Sequence, residues 1–209
     1  MKVLILSPHT DDAELGCGGS ISRMIEEGAK VMWIVFSIAE ESLPESMPKD
    51  TLKREFMKVL DRLGLDESCS RVHQLSVRRL LERRQEILEE LVSVRRSFGP
   101  ELVLTPSLHD VHQDHQAVSN EAVRAFKMHS SIIGYELPWN TLSFSADMFM
   151  RLEERHMAKK LEMLECYESQ IVKARSYFSK DFIRGLARVR GTQCSSSLAE
   201  AFEVIRWIS

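Results

Sequence analysis

The sequence lacks paired cysteines, long apolar runs and an excess of positive charge. Its four cysteines, Cys17, Cys69, Cys166 and Cys194, are scattered with no CxxC spacing and no secretory segment ahead of them. A reduced, cytoplasmic protein is therefore expected rather than a disulfide-stapled one. The apolar residues 3–6 stop at Pro8 and His9, far short of a membrane span or a signal-peptide core, and read as a buried strand. A formal net charge of -3 and a pI near 6.2 leave no chain-wide electrostatic reason to bind nucleic acid or an anionic membrane. There is no internal repeat and no low-complexity tract. What is present is a chain of 209 residues, 44% hydrophobic and 28% charged, the balance of an ordinary folded protein. One domain spanning 1–209 around a sizeable core is expected.

The apolar pattern alternates between short continuous runs and helical spacing. Lys2 to Ser7, Val31 to Ser37, Arg71 to Val77, Leu102 to Thr105 and Ile132 to Leu137 read as strands, and Ala201 to Ile208 as a final one. Helices are expected over Glu14 to Gly28, Thr51 to Leu63, Leu80 to Ser97 and Gln116 to Lys127. One long helix from Asp147 to Tyr167 and another from Asp181 to Val189, ending before Gly191, complete the set. The polar, proline-punctuated stretch Ala39 to Asp50 reads as a loop near a site. This alternation predicts an α/β fold, Rossmann-like, with a mostly parallel sheet and helices on both faces.

Two clusters carry chemistry: PHTDDAE at residues 8–14 and HDVHQDH at residues 109–115. Each directly follows an expected buried strand, and in a doubly wound sheet ligands bind beyond the strand C-termini where neighbouring connections diverge. The first and fourth strands flank that crevice in the common order, so clusters about 100 residues apart can meet. Catalytic zinc commonly takes three histidine or carboxylate ligands and keeps one position open. His9 and Asp12, three apart in a turn opening a helix, can aim one way, which leaves Asp11 free to act as a base toward water acidified by the metal. In the second cluster, spacing does not decide between His112 and His115. One is a ligand; the other, held by an aspartate such as Asp114, stabilises an oxyanion or protonates a leaving amine.

These residues resemble the zinc-dependent de-N-acetylases, the family that includes N-acetylglucosaminyl-phosphatidylinositol deacetylase and the thiol-sugar deacetylases. PHTDDAELGCGG follows the first motif with Thr10 in place of a proline, His112 to His115 matches His-x-Asp-His in full, and KKLEMLECYESQ and RGTQCSSSLAEAFEVIR look like later segments. The resemblance implies a zinc deacetylase acting on an N-acetylglucosamine-type conjugate, with iron as another divalent metal that suits the donors. It implies that His9, Asp12 and His115 bind zinc, that Asp11 is the general base, and that His112 is the acid or oxyanion stabiliser supported by Asp114. It extends to a homo-oligomer, as members often form. Leu52 stands where the family often has arginine.

Other features have plainer readings. Asp110 is a candidate either to orient a ligand or to cap its loop, and His73, His129 and His156 are read as structural or surface residues. Gly16, Gly18 and Gly19 invite a nucleotide-binding reading, but Ile21 occupies the third glycine position of GxGxxG, so close helix packing is the better account. Cys17 reads as a packing residue rather than a nucleophile. Arg78, Arg79, Arg83, Arg84, Arg95 and Arg96, interleaved with Glu82, Glu86, Glu89 and Glu90, read as one solvated helix face. A different amide-bearing conjugate, or a nucleotide-binding module without catalysis, are the rival functions; the latter predicts no bound metal.

Overall fold

Strand residues of alternate parity face opposite sides of a sheet, so a strand apolar at every position needs a cover on both faces. In the computed structural model, which describes residues 1–209, β1 (Lys2–His9) meets this condition. Val3 and Ile5 join one core with Trp33, Leu104 and Tyr135, while Leu4 and Leu6 join a second with Ile34, Phe36 and Val103. The first core is closed by α1 (Asp12–Glu26), α2 (Thr51–Arg62), α5 (Glu154–Glu165) and, after the short α6 (Glu168–Ile171), α7 (Lys180–Gln193). The second is closed by α3 (Arg84–Ser97) and α4 (Gln113–Phe126).

The sheet has seven strands in the order β3-β2-β1-β4-β5-β7-β6. β2 (Lys30–Ser37), β3 (Ser70–Val72), β4 (Leu102–Pro106) and β5 (Ser131–Tyr135) run parallel to β1, and β7 (Leu198–Arg206) pairs antiparallel with β5 and with β6 (Met148–Leu152). β1 is flanked by β2 and β4, with Val3 opposite both Val31 and Leu102. The chain leaves β1 through α1 on one face and leaves β4 through α4 on the other. The crevice of a doubly wound sheet therefore opens between the C-terminal ends of β1 and β4.

Several expected elements differ. The long helix over 147–167 is two elements: Met148, Met150 and Leu152 alternate along β6, and α5 starts only where His156 Nδ1 accepts the backbone N–H of Glu153. The expected strand 71–77 is cut to Ser70–Val72, and the expected helix from Leu80 begins as a 3-10 turn, Leu80–Arg83, before α3. α7 continues through Gly191, where a Cβ would lie 2.6 Å from Ser196 O and 2.8 Å from Leu198 N. That glycine serves close packing and does not stop the helix.

α1 itself is broken at Cys17 (φ -147, ψ 26). Lys160 Nζ donates to Leu15 O at 2.7 Å and to Glu200 at 2.6 Å, while Glu200 accepts Gly19 N–H at 3.1 Å and Ser20 N–H at 2.6 Å. A buried ion pair thus satisfies both helix ends created by the break, which would otherwise leave orphan backbone groups. The glycines beside it have a packing reason: at Gly16 a Cβ would lie 2.3 Å from the Tyr135 ring, and at Gly19 2.5 Å from Leu152.

Candidate metal centre

β1 ends at His9, and two residues later the chain turns into α1, with Asp11 at the N-cap and Asp12 as the first helical residue. Asp12 Oδ2 folds back to accept the His9 backbone N–H at 2.8 Å. Asp11 occupies the position where a carboxylate ordinarily caps a helix, yet makes no capping bond, so its side chain is left to the crevice. From β4, the loop through Asp110 brings His112 to the N-cap of α4 and His115 into its first turn.

The two clusters meet. His9 Nδ1 lies 3.1 Å and His115 Nε2 lies 3.3 Å from Asp12 Oδ2, and the two nitrogens are 3.4 Å apart. Tetrahedral zinc with bonds of about 2.0–2.1 Å needs donors separated by about 3.3–3.4 Å, so this triangle fits a metal as it stands. The outer nitrogens are held from behind: His9 Nε2 by Asp114 at 2.9 Å and His115 Nδ1 by Asp110 at 2.7 Å. Carboxylates in that position fix ring orientation and tautomer, leaving Nδ1 of His9 and Nε2 of His115 turned toward a common point. A second group, His9, His112 and Asp114, also lies close enough to share an ion. Its atoms are already engaged, since Asp114 additionally accepts Arg78 N–H at 2.6 Å and Leu80 N–H at 3.0 Å.

Electrostatics point the same way. Burial acts to lower the pKa of His9, but the Asp12 charge and the bonds to Asp114 and Asp12 outweigh it and hold the ring at about 9. His115 behaves alike and reaches about 10, with Asp12 and Asp110 offsetting burial. Burial acts to raise Asp12, but the two imidazoles outweigh it and hold it well below the usual carboxylate range. Asp11, buried beside the Asp12 charge, is pushed up to about 6.

His112 is arranged differently from the expectation. The Asp114 carboxylate faces His9, not His112, which corrects the pairing read from the sequence. What His112 receives is the Asp114 backbone N–H, accepted by Nδ1 at 3.2 Å, so the neutral ring carries its proton on Nε2. Burial, then the charges of His115 and His9, lower its pKa, and it stacks on His115 with centroids 4.5 Å apart. Asp110 makes the contacts of both readings, bonding His115 Nδ1 at 2.7 Å and accepting the His112 N–H at 2.8 Å within its loop.

His9, Asp11, Asp12, His112 and His115 line one cavity of about 240 Å3. A family model, PIG-L: GlcNAc-PI de-N-acetylase, matches residues 4–126, a span that contains both clusters. The chain belongs to the PIG-L family.

Among its relatives, the uncharacterized deacetylase YaiS of Escherichia coli K12 is 27% identical over 172 residues, covering 80% of this chain and 90% of that protein. The N,N'-diacetylchitobiose deacetylase of Pyrococcus horikoshii has a similar structure, with a TM-score of 0.81, 19% identity, and coverage of 98% of this chain and 83% of its own. So has GalB, the 4-carboxy-2-hydroxymuconate hydratase of Pseudomonas putida KT2440, with a TM-score of 0.79, 19% identity and coverage of 100% and 97%. At these identities the structural likeness speaks for the fold alone.

The rest of the cavity wall was not legible as a site. Arg78 is exposed but lies in a turn at φ 67 on the rim of the cavity rather than on a helix, while Arg83 pairs with Glu86 at the surface and Arg84 reaches the buried Glu121. Trp139 and the single stretch that carries Gln170, Lys173, Arg175 and Tyr177 lie far in sequence from both clusters and carry no spacing signal. His156 is buried and His73 half-buried, and His109 is an exposed residue 3.5 Å from Glu203.

Proposed function

We propose that this protein is a zinc-dependent hydrolase that removes the acetyl group from an N-acetylated sugar conjugate of the N-acetylglucosamine type. The reading rests on one observation above all: three donor atoms at tetrahedral spacing, with an uncapped Asp11 and the Nε2–H of His112 on the same cavity. Nitrogen and carboxylate donors suit zinc, and ferrous iron would accept them too. Held by His9, Asp12 and His115, the ion would supply Lewis acidity, acidifying water and polarising the acetamide carbonyl.

The chain's own residues supply the proton movements. Asp11 accepts a proton from the attacking water at its free carboxylate oxygen. The His112 Nε2–H donates to the oxygen that becomes negative as the carbonyl turns tetrahedral, and a neutral imidazole suffices for that role. The proton gathered at Asp11 then passes to the sugar nitrogen as the C–N bond breaks. Amide and water thus become amine and acetic acid, which ionises to acetate, with no covalent enzyme intermediate. Asp114 acts by orienting His9. The whole chain, 1–209, works as one unit in the cytoplasm, in keeping with four free cysteines and with no helix long and apolar enough to cross a membrane.

The same groups allow a second reading, because a metal, a base and a proton donor also suffice to add water across a carbon–carbon double bond, the reaction for which the structural neighbour GalB is named. Anaerobic purification with metal analysis, then acetate release across N-acetylglucosamine conjugates beside hydration of unsaturated hydroxy acids, separates the two. About one divalent ion per chain and acetate release support the proposal. Hydration without deacetylation, or full activity in metal-free protein, overturns it.

A further inference from the structure

Three cations line the cavity beside the metal triangle: Arg78, Lys173 and Arg175. They gather there on a chain whose formal net charge is -3. None of them pairs with a carboxylate. Lys173 Nζ donates to two neutral oxygens, Ser42 O at 3.2 Å and Gln170 Oε1 at 3.0 Å, which leaves one ammonium proton free. The Arg175 guanidinium donates to the Tyr177 hydroxyl and sits 5.7 Å from that ring's centre, with most of its five donors unused. Arg78 engages Asp114 through its backbone N–H alone, so its guanidinium has no hydrogen-bond partner within the protein.

The backbone holds these groups in place. Arg78 has φ 67, and Ala174, between the other two cations, has φ 49. Non-glycine residues in this region are costly and persist where the surroundings demand them. Arg78 is anchored by the same Asp114 that orients His9, so cation and metal ligand share one support. Lys173 and Arg175 also sense each other: burial first, and then the Arg175 charge, lower the pKa of Lys173. Asp11 and Glu55 act on Lys173, and Arg175 acts on Asp11, only through space, without a direct ion pair, and cations kept close together unpaired are matched by a ligand that brings the charge.

We infer that the substrate carries an anionic group, a phosphate ester or a carboxylate, and that Arg78, Lys173 and Arg175 bind it. The sugar in this substrate rests on the deacetylase reading; the anion does not. Trp139 and Tyr177, stacked with centroids 4.0 Å apart, form the apolar wall beside these cations.

The test uses zinc-loaded protein and three N-acetylglucosamine glycosides of similar size: the neutral methyl glycoside, the 1-phosphate and the carboxymethyl glycoside. At low ionic strength, kcat/KM for at least one anionic substrate should exceed that for the methyl glycoside by about tenfold or more, and the ratio should shrink as salt is added. Comparison of the two anions identifies which is the true partner. In Lys173→Gln/Arg175→Gln the ratio should collapse toward one; Arg78→Gln, on a separate segment, should lower it independently should the double variant fail to fold. A wild-type ratio near one for both anions, or a ratio unchanged in every variant, overturns the inference. Should no glycoside release acetate, the deacetylase reading fails by itself. Calorimetric binding of the same three glycosides to zinc-loaded Asp11→Asn protein then decides the matter, and equal, salt-insensitive binding of all three refutes the anion site.

Discussion

Asp114 offers the sharpest test, because its carboxylate ties a proposed metal ligand to the loop behind it. Oδ2 takes His9 Nε2 at 2.9 Å and Arg78 N–H at 2.6 Å, and Oδ1 takes Leu80 N–H at 3.0 Å. Asp114→Asn keeps the shape but converts one of those oxygens into a donor. If the amide nitrogen turns toward Leu80, one buried N–H loses its acceptor, at a cost of about 1–3 kcal/mol; turned the other way it faces two donors. The fully buried side chain leaves no room for water to compensate. His9 also loses the negative charge that fixes its ring and raises the basicity of Nδ1. Loss of such a partner typically weakens metal binding about 10–100-fold, or about 1.4–2.7 kcal/mol. Zinc affinity measured by competition with a chelator, alongside denaturant unfolding of the metal-free protein, should show both effects. Asp110→Asn, acting through His115 at 2.7 Å, should weaken zinc similarly. Zinc affinity unchanged within about twofold in both variants, with stability reduced, would mean that the carboxylates only build the loops, and the orienting role would be wrong.

Further outcomes follow from the same geometry. Replacing His9, Asp12 or His115 by alanine should sharply lower zinc occupancy in each variant, read by elemental analysis; full occupancy in all three would sink the ligand assignment. Asp11→Asn should retain zinc but lose roughly two to four orders of magnitude in turnover, and near wild-type acetate release would remove Asp11 as base. Zinc affinity should rise with pH: His9 and His115 are raised to about 9 and about 10, above their ordinary 6.5, so their protonation stabilises the metal-free protein fully below about 6.5, and this is lost as pH rises through 9–10. Each pH unit between about 7 and 9 should therefore strengthen binding by up to about a hundredfold, two protons being displaced, whereas a flat titration would contradict it. Lys160→Met, which leaves Glu200 charged and buried, should destabilise the fold by about 3–5 kcal/mol in urea, and a loss under about 1 kcal/mol would refute the pairing as a fold determinant.

The amino-acid sequence by itself determined the α/β class, the parallel core of the sheet and the two metal-binding candidates. Strands buried on both faces must be apolar throughout, and a site at strand ends must be written in the few residues that follow them. It also carried His9 and Asp12 as neighbours, because a spacing of three at a helix start is local geometry. It did not separate β6 from α5, since Met148, Met150 and Leu152 suit either period until β7 is there to pair with them. Only the tertiary structure decided that Asp114 serves His9 rather than His112, because that contact spans 105 residues and depends on how β1 and β4 lie side by side. It alone brought Arg78, Lys173 and Arg175 to one cavity. Their charges look like ordinary surface charges along the chain, and what distinguishes them is that they share one cavity without an ion-pair partner, a property that exists only once the chain has folded.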